Sequence, residues 1–156
     1  MIEITDRPLD PSALLDAFTT GRASVGAIVS FTGLTRAGAA EFPVTEIVLE
    51  SYPGVTERTI QTIVDASRRR FDVEDIHVSH RIGAVPVGEP VVFLAAAAAH
   101  RCAAFEAAEF VMDHLKSRAA FWKKEVGPNG SRWVEPSAQD LDDLDRWSPE
   151  TPNDRP

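Results

Sequence analysis

The sequence predicts an α+β fold, and three observations carry that prediction. Helix-like and strand-like stretches mix along the chain without strict strand–helix–strand alternation. Several short segments alternate apolar and polar residues with a period of two, as half-buried strands do. One long stretch, residues 100–125, instead spaces its apolar residues three and four apart. At 156 residues the chain is one domain's worth, long enough to bury a core without covalent staples.

Taken in order, Asp10 before Pro11 reads as a helix N-cap and first turn. Leu14, Leu15 and Phe18 form its inward face, and Gly21 stops it. Residues 25–32, VGAIVSFT, set Ala27, Val29 and Phe31 against Ile28, Ser30 and Thr32, giving a strand that ends at Gly33 and passes Thr35 and Arg36 into a loop. Residues 37–43 offer little to anchor one conformation, so a mobile loop is expected beside Arg36. TEIVLESY, 45–52, is a second strand, and Pro53-Gly54 turns the chain. Ile60, Ile63, Val64 and Phe71 mark a helix from about Thr56 to Arg70, whose closing arginines complement the negative end of its dipole.

DIHVSHRIGAV, 75–85, alternates as a third strand, and PVGEP turns the chain again. VVFLAAAAAH is ambiguous, because Val91, Val92 and Phe93 favour strand while the alanines favour helix. The preceding turn and three earlier strands assign it as strand over 91–98, with the helix starting near Arg101. Gly127 to Gly130 turn the chain into RWVE, a short edge strand. The reading gives a domain over 1–135 and an acidic, proline-containing tail over 136–156, with the terminal SPETPNDRP expected to be disordered.

The stretch 100–125 predicts a long helix. Phe105, Ala108, Met112, Leu115, Ala119 and Trp122 form an apolar stripe. Glu106, Glu109, Asp113, Lys116, Ala120 and Lys123 form a second, charged one. On a continuous helix Lys116 and Lys123 share a face ~10 Å apart, where two ammonium groups could hold an anion. A charged stripe opposite an apolar one is equally what an ordinary solvated face looks like.

Composition removes several function classes. The net charge of -8 is unevenly spread: from Glu135 onward Glu135, Asp140, Asp142, Asp143, Asp145, Glu150 and Asp154 face only Arg146 and Arg155, and a nucleic-acid partner is not expected. No uncharged apolar run reaches ~18 residues, so no membrane span is expected. The N-terminus lacks the basic and apolar segments of a signal peptide, which makes the cytoplasm the default location. A single cysteine, Cys102, forms no internal disulfide, and its small apolar neighbours suggest a buried hydrophobe rather than a nucleophile. His77, His80, His100 and His114 lack a metal spacing, and no metal or other cofactor is expected. There is no phosphate-cradling Walker loop, Rossmann fingerprint or G-x-S-x-G elbow.

What remains is basic. Arg36 follows a strand, His100 and Arg101 open a helix, and Lys116 and Lys123 lie further on. Guanidinium groups and helix-start amides suit a phosphorylated or carboxylated ligand.

The set FTGLTR (31–36), LESYPGVTE (49–57), HRIG (80–83), VGE (87–89), HR with AF and E (100–106), MDHLK (112–116), FWKKE (121–125) and RW (132–133) resembles the large, catalytic subunit of molybdopterin synthase, in the family's order over residues 2–135. The resemblance implies an α/β-hammerhead-like fold with a mixed or antiparallel sheet and a long helix at about 101–118. It also implies sulfur transfer from the thiocarboxylated Gly-Gly terminus of a small ubiquitin-like subunit to cyclic pyranopterin monophosphate, forming the molybdopterin dithiolene. Two large subunits would form a homodimer carrying one small subunit at each outer end, a heterotetramer. By position, the backbone of Leu34 and Thr35 with Arg36 would line the substrate pocket. His100 and Arg101 would hold the substrate's phosphate from the other protomer. Lys116 would lie nearest the donor's terminal glycine, with Lys123 as second catalytic lysine and Lys124 and Glu125 completing the site. Lys116 would then assist attack of the thiocarboxylate sulfur, while Lys123 and Arg101 steady developing negative charge. The sequence departs from the family at Ala120, where proline is common, and at Leu34, where a polar or basic residue is common. A non-catalytic scaffold that binds a ubiquitin-like tail or an anionic metabolite, and an enzyme using Cys102 as nucleophile, are the alternatives.

Overall fold

The computed structural model describes residues 1–135 and 137–148. Three sheets and four helices form in the order β1 (Ile2–Thr5), α1 (Pro11–Thr19), β2 (Ala27–Leu34), β3 (Gly38–Ala39), β4 (Phe42–Pro43), β5 (Glu46–Ser51), α2 (Val55–Arg70), β6 (Asp75–Arg81), β7 (Gly83–Pro86), β8 (Pro90–Ala98), α3 (Arg101–Arg118), β9 (Phe121–Gly127), β10 (Gly130–Val134) and α4 (Ala138–Asp145). The architecture is mixed α+β.

The first sheet runs β1-β6-β8-β2, with β1 parallel to β6 and the other pairs antiparallel. Strand β8 explains the ambiguous alanine run, because both of its faces are covered. Leu94 and Ala96 pack under α2 and α3, against Ile60, Val64, Ala107 and Val111. Phe93, Ala95 and Ala97 pack under α1, against Phe18. A strand buried on both faces loses the period-two signal and reads as continuous apolar sequence. The N-terminal turn of α1 forms as expected: Asp10 accepts from the amides of Ser12 (3.1 Å) and Ala13 (3.0 Å), with Pro11 at the first helical position.

The second sheet, β10-β9-β5-β7, is antiparallel throughout and has its own apolar cluster of Val44, Ile47, Leu49 and Val85. RWVE does form an edge strand here, as part of β10.

Four expectations need correction. The apolar spacing over 100–125 does not mark one helix: α3 spans Arg101–Arg118, the bounds the resemblance implies, Ala119 is already extended (ψ 132°), and Phe121–Gly127 is a strand paired with both β5 and β10. Two ladders outweigh the helical spacing, and Phe121, Trp122 and Val126 are strand formers. Phe105 (60 % exposed) and Trp122 (50 % exposed) therefore lie outside the core, which keeps Ala108 and Leu115 of that stripe and adds Ala104, Ala107 and Val111. Residues 37–43 form a two-stranded ribbon, β3–β4, rather than an unanchored loop. The segment 75–85 divides at Ile82 into β6 and β7, which join different sheets. Cys102, the second residue of α3, is exposed rather than buried.

Two further elements went unanticipated. Strand β1 pairs with β6, and α4 follows the second sheet under a capping box between Ser137 and Asp140. The expectation of disorder for SPETPNDRP concerns residues that, after Ser148, lie outside the described ones.

Candidate active site

A cavity of about 590 Å³ opens where the two sheets meet the C-terminal half of α3. Strand β2 supplies Phe31, Thr32 and Leu34, and the chain leaving it supplies Thr35 and Arg36. Ile47 and Leu49 come from β5, His80 from β6, and Val91 and Val92 from β8. Met112, Leu115 and Lys116 come from α3, and Lys123 and Glu125 from β9.

Lys116 and Lys123 therefore share a cavity, though not a helix face. One stands near the end of α3 and the other on β9, whose pairing with β5 (Leu49 opposite Lys123) turns it back toward the helix. On a strand, successive side chains alternate faces. Lys123 and Glu125 take the cavity side, while Lys124 stands over the Trp133 ring, 5.2 Å from its centroid, and does not line the cavity.

The loop bearing Arg36 is pinned by the turn before β8. The Thr35 amide donates to the Glu89 carbonyl (3.1 Å) and the Gly88 amide to the Thr35 carbonyl (2.9 Å). Glu89 is held in turn by Arg81 at 2.5 Å. Thr35 is 4 % exposed, and its hydroxyl has no hydrogen-bond partner among the described residues. Arg36 itself is exposed at the cavity rim.

Glu125 sits between two cations. Arg132 on β10 binds its Oε2 through Nη2 (2.9 Å) and Nε (3.0 Å), while Lys123 Nζ lies 3.9 Å from Oε1. Arg132 also lies over Phe42 of the small ribbon, 4.1 Å from the ring centroid. The carboxylate is thereby oriented by an arginine outside the cavity, leaving Lys123 loosely paired and able to turn toward a ligand.

His80 lines the same cavity with its ring stacked on Phe121 at 4.1 Å. Burial pushes its pKa down to about 4, against the opposing effect of the hydrogen bond between Nδ1 and the Arg81 carbonyl (2.9 Å). A carbonyl only accepts, so Nδ1 carries the proton and Nε2 is left as an acceptor in a neutral ring.

Lys116 has a partner that the sequence did not suggest. Its Nζ donates to Asp140 Oδ1 on α4 at 3.1 Å. Partial burial works to raise the Asp140 carboxyl, but hydrogen bonds from Ser137 and Lys116 outweigh it and hold the pKa below the usual carboxylate value.

His100 and Arg101 are not brought to this cavity. They lie at the opposite end of α3 from Lys116, ~22 Å along its axis. Both are exposed, and no side chain caps the amides that open the helix. His80, Arg132 and Asp140 are the neighbours that residue-by-residue reading missed; HRIG, RW and the acidic tail contained them, but only long-range pairing shows what they face.

The chain is similar to known proteins along most of its length. The family model described as "MoaE protein" matches residues 4–118. The molybdopterin synthase catalytic subunit of Caulobacter vibrioides is 48 % identical over 152 residues, covering 96 % of this chain and 99 % of that protein. Among solved structures, the molybdopterin biosynthesis MoaE protein from Burkholderia ambifaria superposes with a TM-score of 0.80 at 37 % identity, covering 94 % of this chain and 97 % of that one. Molybdopterin synthase from Staphylococcus aureus superposes at 0.77 with 27 % identity, covering 85 % and 95 %. A match that spans both sheets and α3, at this identity and with this superposition, places the chain in the MoaE protein family.

Proposed function

We propose that this chain is the catalytic subunit of a molybdopterin synthase, moving sulfur from the thiocarboxylated Gly-Gly terminus of a small ubiquitin-like subunit to cyclic pyranopterin monophosphate. The carrying observation is that Lys116 and Lys123, on different elements, line one cavity with Arg36 and the Leu34–Thr35 backbone. Relatives named as molybdopterin synthase catalytic subunits support the reaction class. The chemistry also fits the composition. The sulfur arrives on the partner's tail, so the enzyme needs positive charge and proton transfer rather than a cysteine of its own.

In this reading Lys116 meets the donor's terminal carbonyl and assists sulfur attack on the substrate. Lys123, held by Glu125 only at 3.9 Å, stabilises the negative charge that develops. Arg36 and the loop backbone take the pterin. His100 and Arg101, too far along α3 to serve their own chain's cavity, offer a phosphate site to the cavity of a second copy. The cytoplasm is the setting of this reaction, and the working assembly is a homodimer of this chain with one small subunit per cavity.

Reconstitution with a thiocarboxylated small subunit and the precursor tests the assignment. Lys116→Ala is expected to lower product formation about 10²–10⁴-fold, the usual range for a lost acid–base group, with unchanged folding. Lys116 is 60 % exposed, and surface ion pairs contribute little to stability. Undiminished product from a folded Lys116→Ala chain would remove the lysine from the mechanism. A chain that binds the small subunit but never yields dithiolene would be a scaffold instead.

A further inference from the structure

Helix α4 is tied to α3 at two places of unequal strength. At its far end Arg146 binds Glu109 (2.7 Å) and Asp113 (2.5 Å), and Trp147 Nε1 donates to Asp113 (2.7 Å). The Trp147 ring stands edge-on to Phe71 and Phe110, and its carbonyl accepts from Arg70 (2.8 Å). That end is anchored by packing and several charge-assisted bonds. At the near end, Ser117 Oγ donates to the Asp140 carbonyl (2.8 Å) and Lys116 Nζ to Asp140 Oδ1 (3.1 Å).

Asp140 divides its carboxylate between two tasks. Oδ2 accepts from the Ser137 amide (2.9 Å) and hydroxyl (2.7 Å), closing the capping box that starts α4. Oδ1 faces the Lys116 ammonium. The cap fixes the carboxylate in place independently of the lysine, and the far anchor fixes the helix independently of both. With so exposed a lysine, the ion pair is not what holds α4 down. What it does is seat an anion on an ammonium that lines the cavity.

A donor tail ending in a carboxylate or thiocarboxylate presents the same chemistry to the same ammonium. Two anions drawn to one cation repel each other across it. We propose that Asp140 is a resident stand-in for the donor's terminal carboxylate, pairing with Lys116 in the empty site and yielding it when the tail threads in. This rests on the reading of Lys116 as the lysine that meets the donor terminus. The device makes donor affinity depend on a charge outside the cavity lining.

The test uses a ubiquitin-like protein ending in Gly-Gly, one that the wild-type chain binds, in its carboxylate form and with the two glycines removed. Calorimetric titration compares wild type, Asp140→Asn and Ser137→Ala. Asp140→Asn is expected to bind the full-length donor about tenfold tighter, ~1.4 kcal/mol, and the truncated donor with wild-type affinity. Ser137→Ala, which loosens the cap but keeps the carboxylate, should stay near wild type. In single turnover with thiocarboxylated donor, Asp140→Asn should lower the half-saturating donor concentration and leave the plateau in place. Unchanged affinity, equal tightening for the truncated donor, equal tightening by Ser137→Ala, or a plateau that falls without a change in affinity would each overturn the proposal. Lys116→Ala run alongside separates the two readings. An active Lys116→Ala chain defeats the assignment of the lysine, whereas an inactive one with no Asp140→Asn effect defeats only the role of Asp140.

Discussion

His80 is neutral in the folded chain over a range of pH where the unfolded chain binds a proton. Burial sets its folded pKa at about 4, and the ordinary histidine value is 6.5. Between those values the unfolded state holds more protons, so the contribution to stability is complete above pH 6.5 and is lost as pH falls toward 4. The size is ~3 kcal/mol for a shift of this order. His77 and His114 are also lowered, chiefly by burial, and add in the same direction. Urea unfolding of wild type and His80→Gln at several pH values checks this. The loss of stability from pH 6.5 to 4 should shrink in the variant by most of that amount, and parallel profiles would refute it. The sequence placed His80 on a strand, and that needed only alternation. Its neutrality was not legible, because that depends on Phe121 stacking from forty residues away. Cys102 shows the converse: small apolar neighbours in sequence suggested burial, but on α3 they lie on a different face from it.

The junction between α3 and β9 decides where the second lysine goes. Helical spacing continues by coincidence through Trp122, so periodicity alone could not end the helix at Arg118; the ladders to β5 and β10 end it. The convergence of Lys116 and Lys123 was legible, but its cause was not, since a shared helix face is replaced by a turn between two elements. Thr56 pins that turn. Fully buried at the start of α2, it accepts from the Tyr52 amide (2.9 Å) and donates to the Ala120 carbonyl (2.8 Å). Thr56→Val keeps the shape and strands both backbone groups, at an expected cost of about 1–3 kcal/mol. With the junction loosened, Lys123 loses its register against Leu49, so turnover should fall along with the urea midpoint. A variant that loses neither would show that β9 holds itself.

At the scale of the whole molecule, His100 and Arg101 lie apart from the cavity that holds Lys116 in the same chain. Separated motifs in a fixed order made the family legible, and with it a mixed sheet and a long helix; the division of the strands into two sheets, the ribbon, β1 and α4 carried too little periodic signal to be read in advance. The placement of His100 and Arg101 required coordinates, because only the length of α3 shows that they cannot reach Lys116 in their own chain. If each cavity of the homodimer borrows these two residues from its neighbour, Lys116→Ala and Arg101→Ala damage different chains of the same site. A dimer of one variant has no intact cavity. A mixed dimer has one, built from the Arg101→Ala chain's own Lys116 and the Arg101 of the Lys116→Ala chain. Random exchange at equal amounts makes half the dimers mixed, so about a quarter of wild-type cavities should return. The measurement is product formed by the two inactive variants before and after subunit exchange through mild denaturant. Recovery near that fraction places the phosphate site across the dimer, whereas no recovery in verified mixed dimers means that each chain works alone and that the length of α3 separates two unrelated sites.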